Sequence, residues 1–284
     1  MKKLIINADD FGADQTRTAG IMEAVQAGVV TSVSLLANGR AFAEGVAALR
    51  HMGNRSLSVG LHVNLSEGNP LTEKAAILVD NDGRFRGKQD ALSLFETSPS
   101  AALVQEIDRE IIAQARRLVE SGLTISHIDG HQHVHIFPAL IESVLRVAAD
   151  FSISWIRLPD EEAELPEEED SMQRQAQRFR NHAVRARQRI ADSGLHTTDH
   201  FRGLYLKGKV NLPSLLATLD RLPEGVTELM VHPGRIAIHM TDESFGSFGT
   251  MDRERELEAL LSGDFRRRLA ECAVQLTSFG ELNP

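Results

Sequence analysis

The 284-residue chain holds a single cysteine, Cys272, so it forms no internal disulfide and offers no cysteine-based metal site. That usage agrees with a reducing compartment, and the cytoplasm is the expected location. It also lacks an excess of basic charge. With 31 Lys and Arg against 40 Asp and Glu, the formal net charge is −9. Such a surface exerts no general pull on a phosphate backbone or an anionic membrane, so nucleic acid is not an expected partner. Long apolar runs are missing as well. No window approaches the roughly 18 residues of a membrane span. The opening Leu4-Ile5-Ile6 is broken by Asn7 and stopped by Asp9-Asp10, short of the roughly 7–15 residues of a signal-peptide core. Neither a Gly-rich dinucleotide fingerprint nor a P-loop follows the first apolar run, where two acids stand instead.

What remains is an ordinary globular composition, 42% hydrophobic and 25% charged, which excludes a disordered tail, a collagen-like chain or a coiled coil. Short β-branched or apolar runs predict strands at 4–8, 29–37, 57–65, 123–129, 153–158, 226–231 and 274–279. Between them, helical spacing predicts helices at 16–27, 40–51, 101–121, 139–149, 212–222, 253–261 and 265–273. This alternation argues for parallel strands joined by helical crossovers, closed as a barrel or open as a sheet. The length suits one barrel of roughly 200–250 residues with decoration, and residues 1–284 are read as one domain. Two departures stand out. Residues 66–100 carry Gly68, Pro70, Gly83, Gly87 and Pro99 with no sustained period, an excursion suited to shaping a binding mouth. Residues 160–170 hold eight acids in eleven positions, and 171–192 then carry six arginines. This insertion is read as a solvated loop and a charged surface helix whose arginines partly neutralise the acids.

Ligands of α/β folds gather at the carboxyl ends of strands. Here those ends share one chemistry. The first delivers Asp9 and Asp10, the third His62 and Asn64, the fourth the run His127-Ile128-Asp129-Gly130-His131-Gln132-His133-Val134-His135, and a late one His232 before Pro233-Gly234. Four of the eleven histidines lie in that nine-residue run, far from random placement. Residues two apart on an extended chain share a face, so the alternate His and Asp project together until the chain turns before Pro138. His131, near the tip, is expected to reach the site, while His127 sits deeper, as a packed core residue or an outer partner. One carboxylate with two imidazoles suits a divalent zinc, cobalt, nickel, manganese or iron ion and leaves positions open for water and substrate. Alone, Asp9-Asp10 reads equally well as a helix cap and His62 as a core histidine. The histidine run tips the acids towards function, and the place of His62 just past Gly60-Leu61, with polar Asn64 and Ser66 following, tips it towards a ligand. His51, His182, His196 and His239 read as surface or packing residues, and His200 is left undecided.

Together these segments resemble the YdjC family, the chitooligosaccharide deacetylases and their hopanoid-biosynthesis relatives. The resemblance rests on Asn7-Ala8-Asp9-Asp10-Phe11-Gly12, Val30-Thr31-Ser32, Gly60-Leu61-His62-Val63-Asn64-Leu65 with Gly68-Asn69-Pro70, the 127–135 run, and Glu228-Leu229-Met230-Val231-His232-Pro233-Gly234. It implies a deformed, TIM-like (β/α) barrel similar to polysaccharide deacetylases, with a divalent metal held by Asp10, His62 and His131. It further implies Asp9 as general base, and His232 is the expected general acid. His127, Asp129, Asn64 and Arg157 are expected as outer partners or substrate contacts. The ion expected is magnesium or zinc, with cobalt, nickel and manganese also admitted, and the substrate a small N-acetylated sugar. A homodimer is left open. Rival readings are a metal-dependent hydrolase of another amide or a phosphoester, an iron(II) oxygenase, and a non-catalytic carbohydrate- or metal-binding protein.

Overall fold

Leu4, Ile5, Ile6 and Ala8 have no solvent exposure, so the first strand is apolar on both faces, as the centre of a parallel sheet requires. The computed structural model describes residues 1–53, 56–73, 75–162, 171–236 and 250–282. In chain order the elements are β1 (Lys2–Phe11), α1 (Gln15–Gln26), β2 (Ser32–Leu35), α2 (Phe42–His51), β3 (Ser58–Val63), α3 (Lys88–Phe95), α4 (Ala101–Glu120), β4 (His127–Gly130), α5 (Ile141–Asp150), β5 (Trp155–Ile156), α6 (Ser171–Asp192), β6 (His200–Arg202), α7 (Leu212–Asp220), β7 (Gly225–Val231), α8 (Thr250–Leu261), α9 (Gly263–Glu271) and β8 (Gln275–Leu276). The strands run parallel in the order β5-β4-β3-β2-β1-β7-β6, and β8 fills the lower half of the β1 edge whose upper half pairs with β2. The sheet curls far enough for the chain ahead of β6 to meet β5. His196 donates its N–H to the Ser154 carbonyl and its own carbonyl accepts from Ile156, both at 2.9 Å. This is the deformed α/β barrel expected.

Helix ends follow local chemistry. Asp14 caps α1 through the Arg17 N–H at 2.8 Å, and Ser100 caps α4 through Leu103. Helix α4 buries the expected stripe of Leu103, Ile107, Ile111, Ala115 and Leu118. It also buries three polar residues that no apolar pattern announces. Glu106 accepts the N–H groups of Ala76, Ile77 and Leu78, and Glu110 those of Leu71 and Thr72. Gln114 clasps the backbone of Asn64 from both sides. The excursion after β3 is thus pinned to α4 by side chains one turn apart, and it contains a helix of its own, α3. The acidic residues 163–170 lie outside the described residues.

Candidate functional site

The two acids at the end of β1 are neighbours in sequence, and regular pleating would send them to opposite faces. A bulge prevents this. Ala8 pairs with Val33 and Phe11 with Leu35, so β1 carries one residue more than β2 across that step. Asp10 takes the left-handed backbone at φ 64°, uncommon for a non-glycine residue. As a result Asp9 and Asp10 both line one cleft, together with His62, His131 and His232. The histidine run is reshaped in the same way. Strand β4 stops at Gly130, and residues 131–136 tighten into a 3-10 turn with Gln132 and His133 left-handed at φ 54° and 55°.

Asp10, His62 and His131 are buried, and their ligating atoms lie within 4.8 Å of one another. Asp10 Oδ1 stands 2.8 Å from His131 Nδ1 and 3.5 Å from His62 Nε2, while its Oδ2 accepts from Arg253 at 2.6 Å. The donor set, one carboxylate oxygen and two imidazole nitrogens, fits a transition-type divalent cation. Electrostatics agree. Burial opposes charge on His62, yet Asp129, Asp10 and Asp9 outweigh it and lift its pKa to about 10. His131 is raised against burial by Asp10 and Glu67. Asp10 is held well below its usual range, because His131 and Arg253 overcome its desolvation.

Behind the cleft lies a buried ionic frame. In the register of β3 and β4, His62 faces Asp129, whose Oδ1 stands 2.8 Å from His62 Nδ1. The other oxygen of Asp129 accepts from Ser34 at 2.7 Å and pairs with Arg157 at 2.8 Å. Arg157, wholly buried, also forks onto both oxygens of Asp9 at 2.7 Å and reaches Glu228 at 2.8 Å. Asp9, His62 and Asp129 likewise cluster closely enough for an ion, but Arg157 bonds both acids and so already supplies that cation. Burial raises Glu228 to about 7, although Arg157 pulls the other way. His232 Nε2 stands 4.0 Å from Asp9 Oδ2. Burial, with Lys207 adding positive charge, holds the His232 imidazole well below its ordinary pKa, so it is neutral at pH 7. Its backbone N–H donates to Glu256 at 2.6 Å.

Of the outer residues, Arg157 is wholly buried beneath the cleft and is not among the described residues that line it. Asn64 is fully buried and organises the following turn through the N–H groups of Ser66 and Glu67. His127 lies a layer deeper, stacked on Phe279 and 3.3 Å from Ser34, and burial drives its pKa down to about 3. Its ring fits because Gly60 stands opposite, where a Cβ would lie 2.3 Å from His127 Nε2. His133 lines the cleft wall against Phe179 and Phe201, while His135 turns away onto the Arg157 carbonyl. His182 is buried against Phe137, and His196 bridges to β5. His200 is half-buried against the Glu224 carbonyl. His239 lies outside the described residues.

The insertion corrects the sequence reading. Helix α6 is not only a charged surface helix: its Met172, Gln175, Ala176 and Phe179 line the cleft. Apolar residues recur there among the arginines at positions 176, 179, 183, 186 and 190, a helical stripe that the charge count obscured. Sequence reasoning also missed Glu67, Lys207, Arg253 and Glu256. Nothing local marks them, apart from Glu256 and Arg253 sharing one face of α8, three residues apart.

A family model described as YdjC-like protein matches residues 3–271. A carbohydrate deacetylase of Brevibacillus brevis is 30% identical over 283 residues, covering 99% of both chains. A carbohydrate deacetylase of Mus musculus is 33% identical, covering 99% of this chain and 95% of its own. Among solved structures, one named as a cellobiose-phosphate cleavage protein of Enterococcus faecalis superposes with a TM-score of 0.78 at 27% identity, covering 100% of this chain and 99% of that one. With its motifs at the rim of a parallel barrel and a family match along nearly its whole length, the chain belongs to the YdjC-like protein family.

Proposed function

We propose that this protein is a metal-dependent carbohydrate deacetylase that hydrolyses the acetamide of a small, chitooligosaccharide-like sugar. The observation that carries the reading is the convergence of Asp10, His62 and His131 beside Asp9 and His232 in one cleft. The names of the relatives support the substrate class. Asp10, His62 and His131 would hold the ion, and two imidazoles favour zinc, cobalt or nickel over magnesium, which prefers an all-oxygen shell. When bound, the cation supplies Lewis acidity, acidifying water and drawing charge from the acyl carbonyl.

The remaining work falls to side chains. Arg157 and Asn7 take three of the four lone-pair positions of the Asp9 carboxylate, leaving one on Oδ2. That oxygen accepts the proton of the attacking water. His232, neutral at rest, cannot bring a proton; standing 4.0 Å from Asp9, it would receive one relayed by a single water and deliver it to the departing amine. The step is needed because an amide anion leaves poorly. Phe179, Leu204 and Met230 form an apolar wall suited to a sugar face and the acetyl methyl. Side chains from β1, β3, β4, β7 and the flanking loops meet here, which supports one functional domain over residues 1–284. The lone Cys272 is consistent with a cytoplasmic enzyme, and no helix among the described residues is long and apolar enough to cross a membrane.

Metal analysis combined with acetate release from short N-acetylated oligosaccharides tests the reading. His62→Ala should lose the ion and turnover together. Asp9→Asn should keep the ion and lose turnover by roughly 10²–10⁴-fold. Phosphate release without acetate release would overturn the substrate class, and stoichiometric metal in His62→Ala would remove His62 from the ligand set.

A further inference from the structure

We propose that Glu67 is a positioning residue for the metal centre, holding His131 by Nε2 so that Nδ1 faces the cation. The inference rests on the metal reading above. The two ligand imidazoles use opposite nitrogens. His62 turns Nε2 towards Asp10 Oδ1 and gives Nδ1 to Asp129 at 2.8 Å. His131 turns Nδ1 towards the same Asp10 oxygen and gives Nε2 to Glu67 Oε2 at 3.1 Å. Each ring therefore stands between a shared inner carboxylate and an outer carboxylate of its own. An outer acceptor of this kind fixes tautomer and ring orientation and raises the basicity of the ligating nitrogen.

Glu67 is built into place. Its second oxygen accepts from Gln132 Nε2 at 2.8 Å, a contact that the left-handed backbone of Gln132 permits. Its carbonyl accepts from Asn64 at 2.8 Å and Asn38 at 3.3 Å, and its N–H donates to Asn64 Oδ1. Gln114 of α4 in turn grips the Asn64 backbone. The path runs from α4 through the turn after β3 to the imidazole, and along it Asn64 shapes the loop that delivers Glu67.

Zinc binding to stripped protein, measured by competition with a chromophoric chelator, tests the proposal without reference to activity. Glu67→Ala should bind zinc ~10- to 100-fold more weakly. Glu67→Gln keeps a carbonyl acceptor of nearly the same shape and should recover most of that loss, which also guards against a misfolded alanine variant. Long-range ¹H–¹⁵N correlation spectra of the zinc-loaded protein should report Nδ1 ligation for His131 and Nε2 ligation for His62. Zinc affinity unchanged in Glu67→Ala, or ligation of His131 through Nε2, overturns the proposal while leaving the metal reading intact. A wild-type chain that takes no zinc, or a His62→Ala chain that binds it equally, overturns both.

Discussion

Replacing Arg157 by methionine would remove a cation shared by Asp9, Asp129 and Glu228 while keeping much of the side chain's apolar bulk. All four side chains are essentially buried, so water cannot take over the lost contacts. Breaking a buried ion pair from one side costs about 3–5 kcal/mol, against a total stability of about 5–15 kcal/mol. At roughly 2–4 °C per kcal/mol, the thermal midpoint should fall by roughly 6–20 °C near neutral pH. The pH dependence carries the sharper test. In the wild type, Arg157 and His62 hold Asp129 well below its ordinary pKa against burial. That stability is present above the unfolded value of about 3.9 and is lost only as pH falls through the lower folded value. Glu228 behaves oppositely. Its folded value of about 7 lies above the unfolded 4.5, so its contribution is present in acid and fades as pH rises through that window. In Arg157→Met, Asp129 loses the largest charge that holds it down, and Glu228 loses the one that pulls it towards ionisation. Urea unfolding of the ion-free protein from pH 8 to 5.5 should therefore show the gap between variant and wild type narrowing as acid is added. A gap that stays constant or widens would refute the assignment of Arg157 as the electrostatic keystone of the frame.

Three further outcomes follow from the geometry. Gly60→Ala should cost about 1–3 kcal/mol, because its methyl would drive into the His127 ring; in a His127→Ala background that cost should largely vanish, and thermal melts showing an equal cost would exclude the clash. Because the His62 pKa is lifted to about 10 and that of His131 is raised, while both must ligate as neutral imidazoles, metal binding near pH 7 should release at least about one proton. Calorimetry in buffers of different ionisation heat reads this directly, and zero release contradicts it. Glu256→Ala frees the His232 N–H from its 2.6 Å acceptor and should lower kcat by up to about 10²-fold with metal content unchanged; unaltered kcat would show that the Pro233-Gly234 corner holds His232 alone.

Sequence by itself determined the parts of this protein that depend on short-range periodicity. The solid apolar run of β1, the stripe on α4 and the alternation of strands with helices each follow from burial on one or two faces, so a parallel α/β fold was legible before any coordinate, while the choice of barrel over open sheet came from the family resemblance. So was the chemistry at the strand ends, because Asp9, Asp10, His62, His131 and His232 are polar residues at the mouths of apolar strands. Tertiary structure alone decided how those residues meet. A bulge and a left-handed Asp10 bring two adjacent acids into one cleft, and register sets Asp129 against His62. Arg253 and Glu67 arrive from segments 243 and 57 positions away from Asp10, and nothing in their local sequence distinguishes them from solvated charge. The same holds for Glu106 and Glu110 on α4 and for the cleft wall of α6. A charged side chain declares its role only through the partner it meets when buried, and that partner is chosen by packing between distant segments rather than by the spacing of neighbours.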